Sequence, residues 1–218
     1  MSNSKRCKAE IQYIDADWTR VKNECRTTVN KEATDHVPGH SFRLKLLISE
    51  HSPIRLIRVQ WRWASIKSWI ATHFARHWLG WDKWIGTRRS DRTGVNRSNL
   101  SQDELVPMDV CANSQALINV SRFRLCHQAS DETREHMEDV KAAIHNSGEE
   151  ELAFVMVPNC IYRGGCPEFE QCGVWKAIRK LNPDMDCGDI MSRYDAYNDY
   201  FWSKRKGEDD GQISIAGW

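Results

Sequence analysis

The hydrophobic period changes abruptly between Ile57 and His77. Ile57, Val59, Trp61 and Trp63 alternate with Arg58, Gln60 and Arg62, a period of two that predicts a strand with one buried face. The other face carries two arginines, Arg58 and Arg62. From Ile66 onward, Trp69, Ile70, His73, Phe74 and His77 fall at helical spacing. A strand is therefore followed by a short helix that runs into Arg76-His77. Five of the ten tryptophans (Trp61, Trp63, Trp69, Trp78, Trp81) fall between positions 61 and 81, as a core seam or as the wall of a planar-ligand pocket.

The remaining pattern is mixed. Asn30 to His40 is a loop by its Pro38-Gly39 pair, and Trp78 to Thr93, rich in glycine and arginine, is a loop or irregular strand. Leu117, Val120, Phe123, Met137, Val140 and Ile144 predict one long helix from about Asn113 to Ile144. Ala153 to Pro158 is a short apolar strand, and helical patterns return over Phe169–Leu181 and Ile190–Trp202. Ser2 to Lys8 and Gly207 to Gly211 are frayed ends. Without regular βαβ alternation the class is α+β, a mixed or antiparallel sheet with long helices. The 218 residues are taken as one domain with a cysteine-rich extension from about residue 153.

A net charge of +1 excludes a strong non-specific hold on nucleic acid, so any anion site must be made by locally placed arginines. No segment has the length and apolarity of an export signal or a membrane span. A cytoplasmic, reducing location is expected, with the eight cysteines as thiols or metal ligands.

Arg76, Arg88, Arg89, Arg92 and Arg97 lie close in sequence, and a guanidinium offers a planar donor fork for phosphate or a pyrimidine carbonyl edge. The competing reading is that most are solvated surface charges. Asn113 and Arg124, eleven residues apart, fall near three helical turns and share a face. His73 and His77 are spaced i, i+4, but Phe74 stands where a zinc protease needs glutamate, so no metal is assigned to them. Cys160, Cys166, Cys172 and Cys187 are enough for a tetrahedral zinc site, yet no short CxxC pair occurs; buried reduced thiols are the default, and no metal is assigned. There is no GxGxxG, Walker lysine loop or GxSxG elbow.

Residues Ala75 to Arg89 (ARHWLGWDKWIGTRR) resemble the signature of flavin-dependent thymidylate synthases, which opens Arg-His-Arg and reaches a substrate arginine twelve positions later. Here Arg76-His77 opens it and Arg88 stands at the twelfth position. Asn113 to Arg134 is similar to the family's helix at Asn113, Leu117, Arg124, Leu125, Ala129, Glu132 and Arg134. Arg97-Ser-Asn-Leu100 is similar to its Arg-x-x-Leu-Pro, and Ser49 to Arg55 to its histidine and Ser/Thr-Pro turn. The likeness covers about residues 48 to 144.

The resemblance implies FAD contacts from Arg76, His77, Asn113, Asn119 and His51. It implies nucleotide phosphate held by Arg88 and Arg97, His73 at a substrate position, and Arg124 polarising the pyrimidine carbonyl. It further implies dUMP as substrate, methylenetetrahydrofolate and NADPH as co-substrates, and a homotetramer with shared sites. Trp78, Trp81, Lys83, Trp84 and Gly86 replace signature residues, which removes two nucleotide contacts and changes the pocket wall. That departure leaves two other outcomes open: another C5-modified pyrimidine such as a hydroxymethyl product, or a non-catalytic nucleotide or single-strand binder.

Overall fold

A computed structural model describes residues 7–209. Its sheet has four antiparallel strands in the order β1-β2-β4-β3: β1 (Glu10–Asp15), β2 (Arg58–Lys67), β3 (Trp81–Ile85) and β4 (Leu105–Asn113). The predicted alternation is realised in β2, where Val59, Trp61 and Trp63 are buried while Arg58 and Arg62 are exposed. In β4, Val106, Met108, Val110 and Ala112 continue the same buried face beside them. An antiparallel sheet can leave its second face to water, and this one does.

β4 also carries Pro107, which cannot donate to a ladder. The partner strand answers it with a bulge. Trp63 pairs with Met108 and Ile66 with Val106, so Ala64 and Ser65 together stand opposite Pro107. On the other side Gly86 N donates to Pro107 O at 2.8 Å, and a Cβ on Gly86 would lie 2.6 Å from Pro107 Cδ. Gly86 is therefore dictated by strand approach.

Helices α1 (Trp18–Thr27) and α2 (His40–Ile48) precede β2, with a 3₁₀ turn at Ser52–Leu56. The predicted short helix is α3 (Ser68–Ala75). Trp61, Trp63, Phe74 and Trp81 form the aromatic centre where α3 meets the sheet: Trp61 is edge-on to Trp63 (5.7 Å) and to Trp81 (5.2 Å), and Trp63 stacks on Phe74 (4.9 Å). Among the described residues the three indole N–H groups have no hydrogen-bond partner. After β3 come the one-turn α4 (Ser90–Thr93) and a 3₁₀ turn at Arg97–Asn99.

The expected single helix from Asn113 to Ile144 is two, α5 (Ser114–Arg124) and α6 (Asp131–Asn146). Both halves carry the apolar period, but Leu125 to Ser130 turns between them. Ala129 N donates to Cys126 O, and Ser130, the N-cap residue of α6, donates to Thr133 Oγ1 at 2.7 Å. Ser130 leaves helical conformation (ψ 143°), so α6 starts afresh after it.

The expected strand at Ala153–Pro158 is instead the end of α7 (Glu150–Phe154) followed by buried, non-repetitive chain. An apolar run has no intrinsic preference between the two. Here Lys141 on α6, wholly buried, donates to Ala153 O (2.5 Å), Met156 O (3.2 Å) and Asn198 Oδ1 (2.7 Å), using carbonyls that a ladder would need. Then follow α8 (Asn159–Arg163), α9 (Val174–Leu181) and α10 (Ile190–Asp209). One apolar cluster runs from Trp18 to Phe201, and no helix among the described residues is long and apolar enough to cross a membrane.

Candidate active site

α5 begins where β4 stops, with no linker. Asn113 ends the strand and caps the helix, its Oδ1 accepting from Ala116 N at 2.9 Å. Its own N–H donates to Gly80 O at 3.0 Å, and a Cβ on Gly80, at φ +65°, would meet Asn113 Nδ2 at 2.3 Å. The start of α5 is thus pinned to the turn that joins α3 to β3.

The other end of α5 returns to the same corner. Arg124, its last residue, donates from Nε to His77 Nε2 at 3.0 Å and from Nη2 to His73 O at 2.8 Å. Asn113 and Arg124, whose spacing predicts a shared face, serve one turn from two ends. Lys83 on β3 donates to His77 O at 2.6 Å. Thr133 on α6 meets His73 Nδ1 at 2.9 Å. His73 and His77 are joined through Arg124 and not to each other, since α3 ends at Ala75.

The electrostatics follow from this packing. Because a guanidinium only donates, His77 must present a lone pair at Nε2, and its proton is assigned to Nδ1. Burial, then Arg124 and Lys83, pull the His77 pKa down to about 4, so the ring is neutral at pH 7. His73 is lowered by burial, Arg124 and Arg76. The pKa of Arg124 is itself lowered by burial and then by Arg76. Among the contacts of the described residues, neither Arg76 nor Arg124 is ion-paired with a carboxylate. Two neighbouring guanidiniums without a counter-acid form a site that favours an anion.

Arg124 retains donors for one. A guanidinium has five N–H bonds, and two are used on His77 and His73, leaving three. Arg76 is exposed at the end of α3, next to the strongly exposed Trp78 (73 %).

The other candidates are placed differently. Arg88 braces the loop before β4, donating to Ser68 Oγ (2.8 Å) and Ser101 O (2.7 Å). Arg97 is exposed, and its backbone N–H donates to Ser90 Oγ. Asn119 lies on another face of α5 in a polar knot with Gln115, Arg122 and Glu50. Arg122 also lies over the Tyr162 ring at 3.6 Å. His51 is exposed before the Ser52–Leu56 turn.

Of the three tryptophans expected in a pocket wall, Trp81 is core and Trp84 lies on the outer sheet face opposite Asp109. Only Trp78 stands at the corner; strand phase decided this. Lys83 stands in the signature stretch only as a replaced position, and Thr133 carries no motif; their contacts with His77 and His73 were not legible in the sequence.

No family model matches the sequence, and no curated protein matches it. The fold, however, is that of the flavin-dependent thymidylate synthases. Two structures of ThyX from Helicobacter pylori with FAD and dUMP superpose with TM-scores of 0.56 and 0.57 at 8% identity. They cover 66% and 68% of this chain, and 97% and 99% of theirs. The UMP/dUMP methylase PolB from Streptomyces cacaoi, bound with 5-Br dUMP, is similar at TM-score 0.54 and 13% identity, over 68% of this chain and 94% of that one. Roughly a third of this chain lies outside the shared fold.

Proposed function

We propose that this chain is an FAD-dependent enzyme that binds a uridylate-type nucleotide and transfers a one-carbon unit to C5 of its pyrimidine. The observation that carries the reading is the uncompensated Arg76–Arg124 pair beside a neutral imidazole, on a fold shared with proteins solved with FAD and dUMP.

Arg124 is fixed by two hydrogen bonds before any ligand arrives, so its three remaining donors need no reordering to meet a carbonyl or phosphate oxygen. Its role is to stabilise negative charge developing on the pyrimidine carbonyl. Neutral His77 orients the fork without adding a competing cation. Arg88 and Arg97 are assigned to the phosphate, although Arg88 must share its guanidinium with Ser68 and Ser101. The residues fit a flavin at the α3–β3 corner: an exposed cation, Arg76, lies beside a flat exposed ring, Trp78, as a diphosphate and an isoalloxazine require. Asn113 and His51 would contribute to its hold, and Asn119 only if its knot with Arg122 opens. When bound, reduced flavin supplies the hydride. Methylenetetrahydrofolate and NADPH are the co-substrates that this reading assigns, in a homotetramer.

The test is FAD binding to purified protein, followed by mass analysis of dUMP after incubation with methylenetetrahydrofolate and NADPH. A gain of one methyl group is expected. A gain of any other one-carbon group favours the modified-pyrimidine outcome, which the replaced signature residues motivate. Protein that takes up neither FAD nor dUMP ends the proposal.

A further inference from the structure

Thr133 is wholly buried on the first turn of α6, yet its hydroxyl has two polar partners. Ser130 Oγ lies 2.7 Å away at the head of the same helix, and His73 Nδ1 lies 2.9 Å away on α3. A hydroxyl owns one proton, so with two partners it donates to one and accepts from the other. The direction sets the tautomer of His73. If Thr133 donates to Nδ1, the ring proton sits on Nε2; if it accepts, Nε2 is a bare lone pair.

The helix gives the direction. The first turn of α6 leaves backbone N–H groups without helical partners. Their positive field draws the lone pairs of the Ser130 hydroxyl toward the helix and turns its proton away, to Thr133. Thr133 then has its own proton for His73 Nδ1. The rest of His73 is held as firmly: its carbonyl accepts from Arg124 Nη2 at 2.8 Å, and the Trp69 ring stands edge-on to the imidazole at 5.3 Å. Burial, then Arg124 and Arg76, lower its pKa, so the ring is neutral at pH 7. His73 is part-exposed, and among the described residues Nε2 has no hydrogen-bond partner. Nε2 is therefore the nitrogen left for a ligand.

We propose that Ser130 and Thr133 are positioning residues whose hydroxyl relay, Ser130 to Thr133 to His73 Nδ1, locks His73 as an Nε2–H donor to an oxygen of the bound uridylate. The ligand rests on the nucleotide reading above; the tautomer exists without it. Such a relay supplies a donor without a further charge, at a corner where Arg76 already depresses Arg124. The opposite tautomer would turn a lone pair toward the nucleotide oxygen and repel it.

Protein carrying isotope-labelled histidine is observed by nitrogen NMR at about pH 7.5, where a ring with a pKa below 6.5 is neutral. His73→Ala identifies which of the eight histidine signals belongs to His73. The native ring should show the Nε2–H form, with Nδ1 shifted as a hydrogen-bond acceptor. Thr133→Val should lose that shift, admit the Nδ1–H form and raise the Kd for dUMP by roughly 2- to 10-fold. Thr133→Ser should restore all three. In a His73→Ala background Thr133→Val should cost no further dUMP affinity, which a merely structural role for the hydroxyl would not predict. Should Thr133→Val fail to fold, the native tautomer and Ser130→Ala decide, and Ser130→Ala must also admit the Nδ1–H form. A native His73 protonated on Nδ1 overturns the proposal, as does a Thr133→Val loss that is equal with and without His73. A native Nε2–H form in protein that binds no dUMP ends the nucleotide reading and leaves the relay standing.

Discussion

Replacing Arg124 with alanine should change two quantities that fail independently. The first is nucleotide affinity. The wild-type guanidinium has three donors left for a ligand after its bonds to His77 and His73. A hydrogen bond to a charged group contributes about 1.5–3 kcal/mol, so loss of one such contact raises the Kd for dUMP by roughly 10- to 150-fold. Calorimetry at fixed, low salt measures it. Arg124→Lys should recover only part of the loss, because an ammonium on a flexible stem cannot meet His77, His73 and a ligand in one plane. The second quantity is the pKa of His77, held at about 4 by burial, Arg124 and Lys83. Removing the nearest guanidinium must raise it, and the imidazole proton resonances report the titration. An unmoved His77 pKa refutes the geometry of the corner. A raised His77 pKa with unchanged dUMP affinity refutes the nucleotide site while leaving the geometry intact.

Further outcomes follow from the fold. His77 is depressed in the folded chain relative to its ordinary 6.5, so its stabilising contribution is complete above pH 6.5 and is lost as the pH falls toward 4. The urea midpoint of the wild type should drop over that window more than the midpoint of His77→Gln; equal slopes would count against the assignment. Lys141→Ala abandons three buried acceptors and should lower stability by about 2–4 kcal/mol in equilibrium denaturation, and an unchanged midpoint sinks that account. Gly86→Ala forces a methyl against Pro107 and should cost about 1–3 kcal/mol, visible as a lowered Tm. Trp81→Ala should cost about 3–5 kcal/mol, whereas the exposed Trp84→Ser should stay within about 0.5 kcal/mol. Similar losses from the two would contradict the strand phase.

The sequence by itself determined the β2–α3 unit and the class of fold, because one buried face per element forces a period that neighbours cannot alter. Helical spacing put Asn113 and Arg124 on one face, and the structure shows both reaching the turn after α3. Strand β4 was hidden, since Pro107 argues against a strand until the bulge at Ala64–Ser65 is known to face it. The break at Leu125–Ser130 was hidden because apolar spacing continues across it. Lys83 and Thr133 reach the site through side-chain contacts between segments distant in sequence, which spacing along the chain does not record. Spacing along a chain records which face a residue takes within its own element. Which faces then meet is set by packing between segments tens of residues apart, and only the tertiary structure decided that.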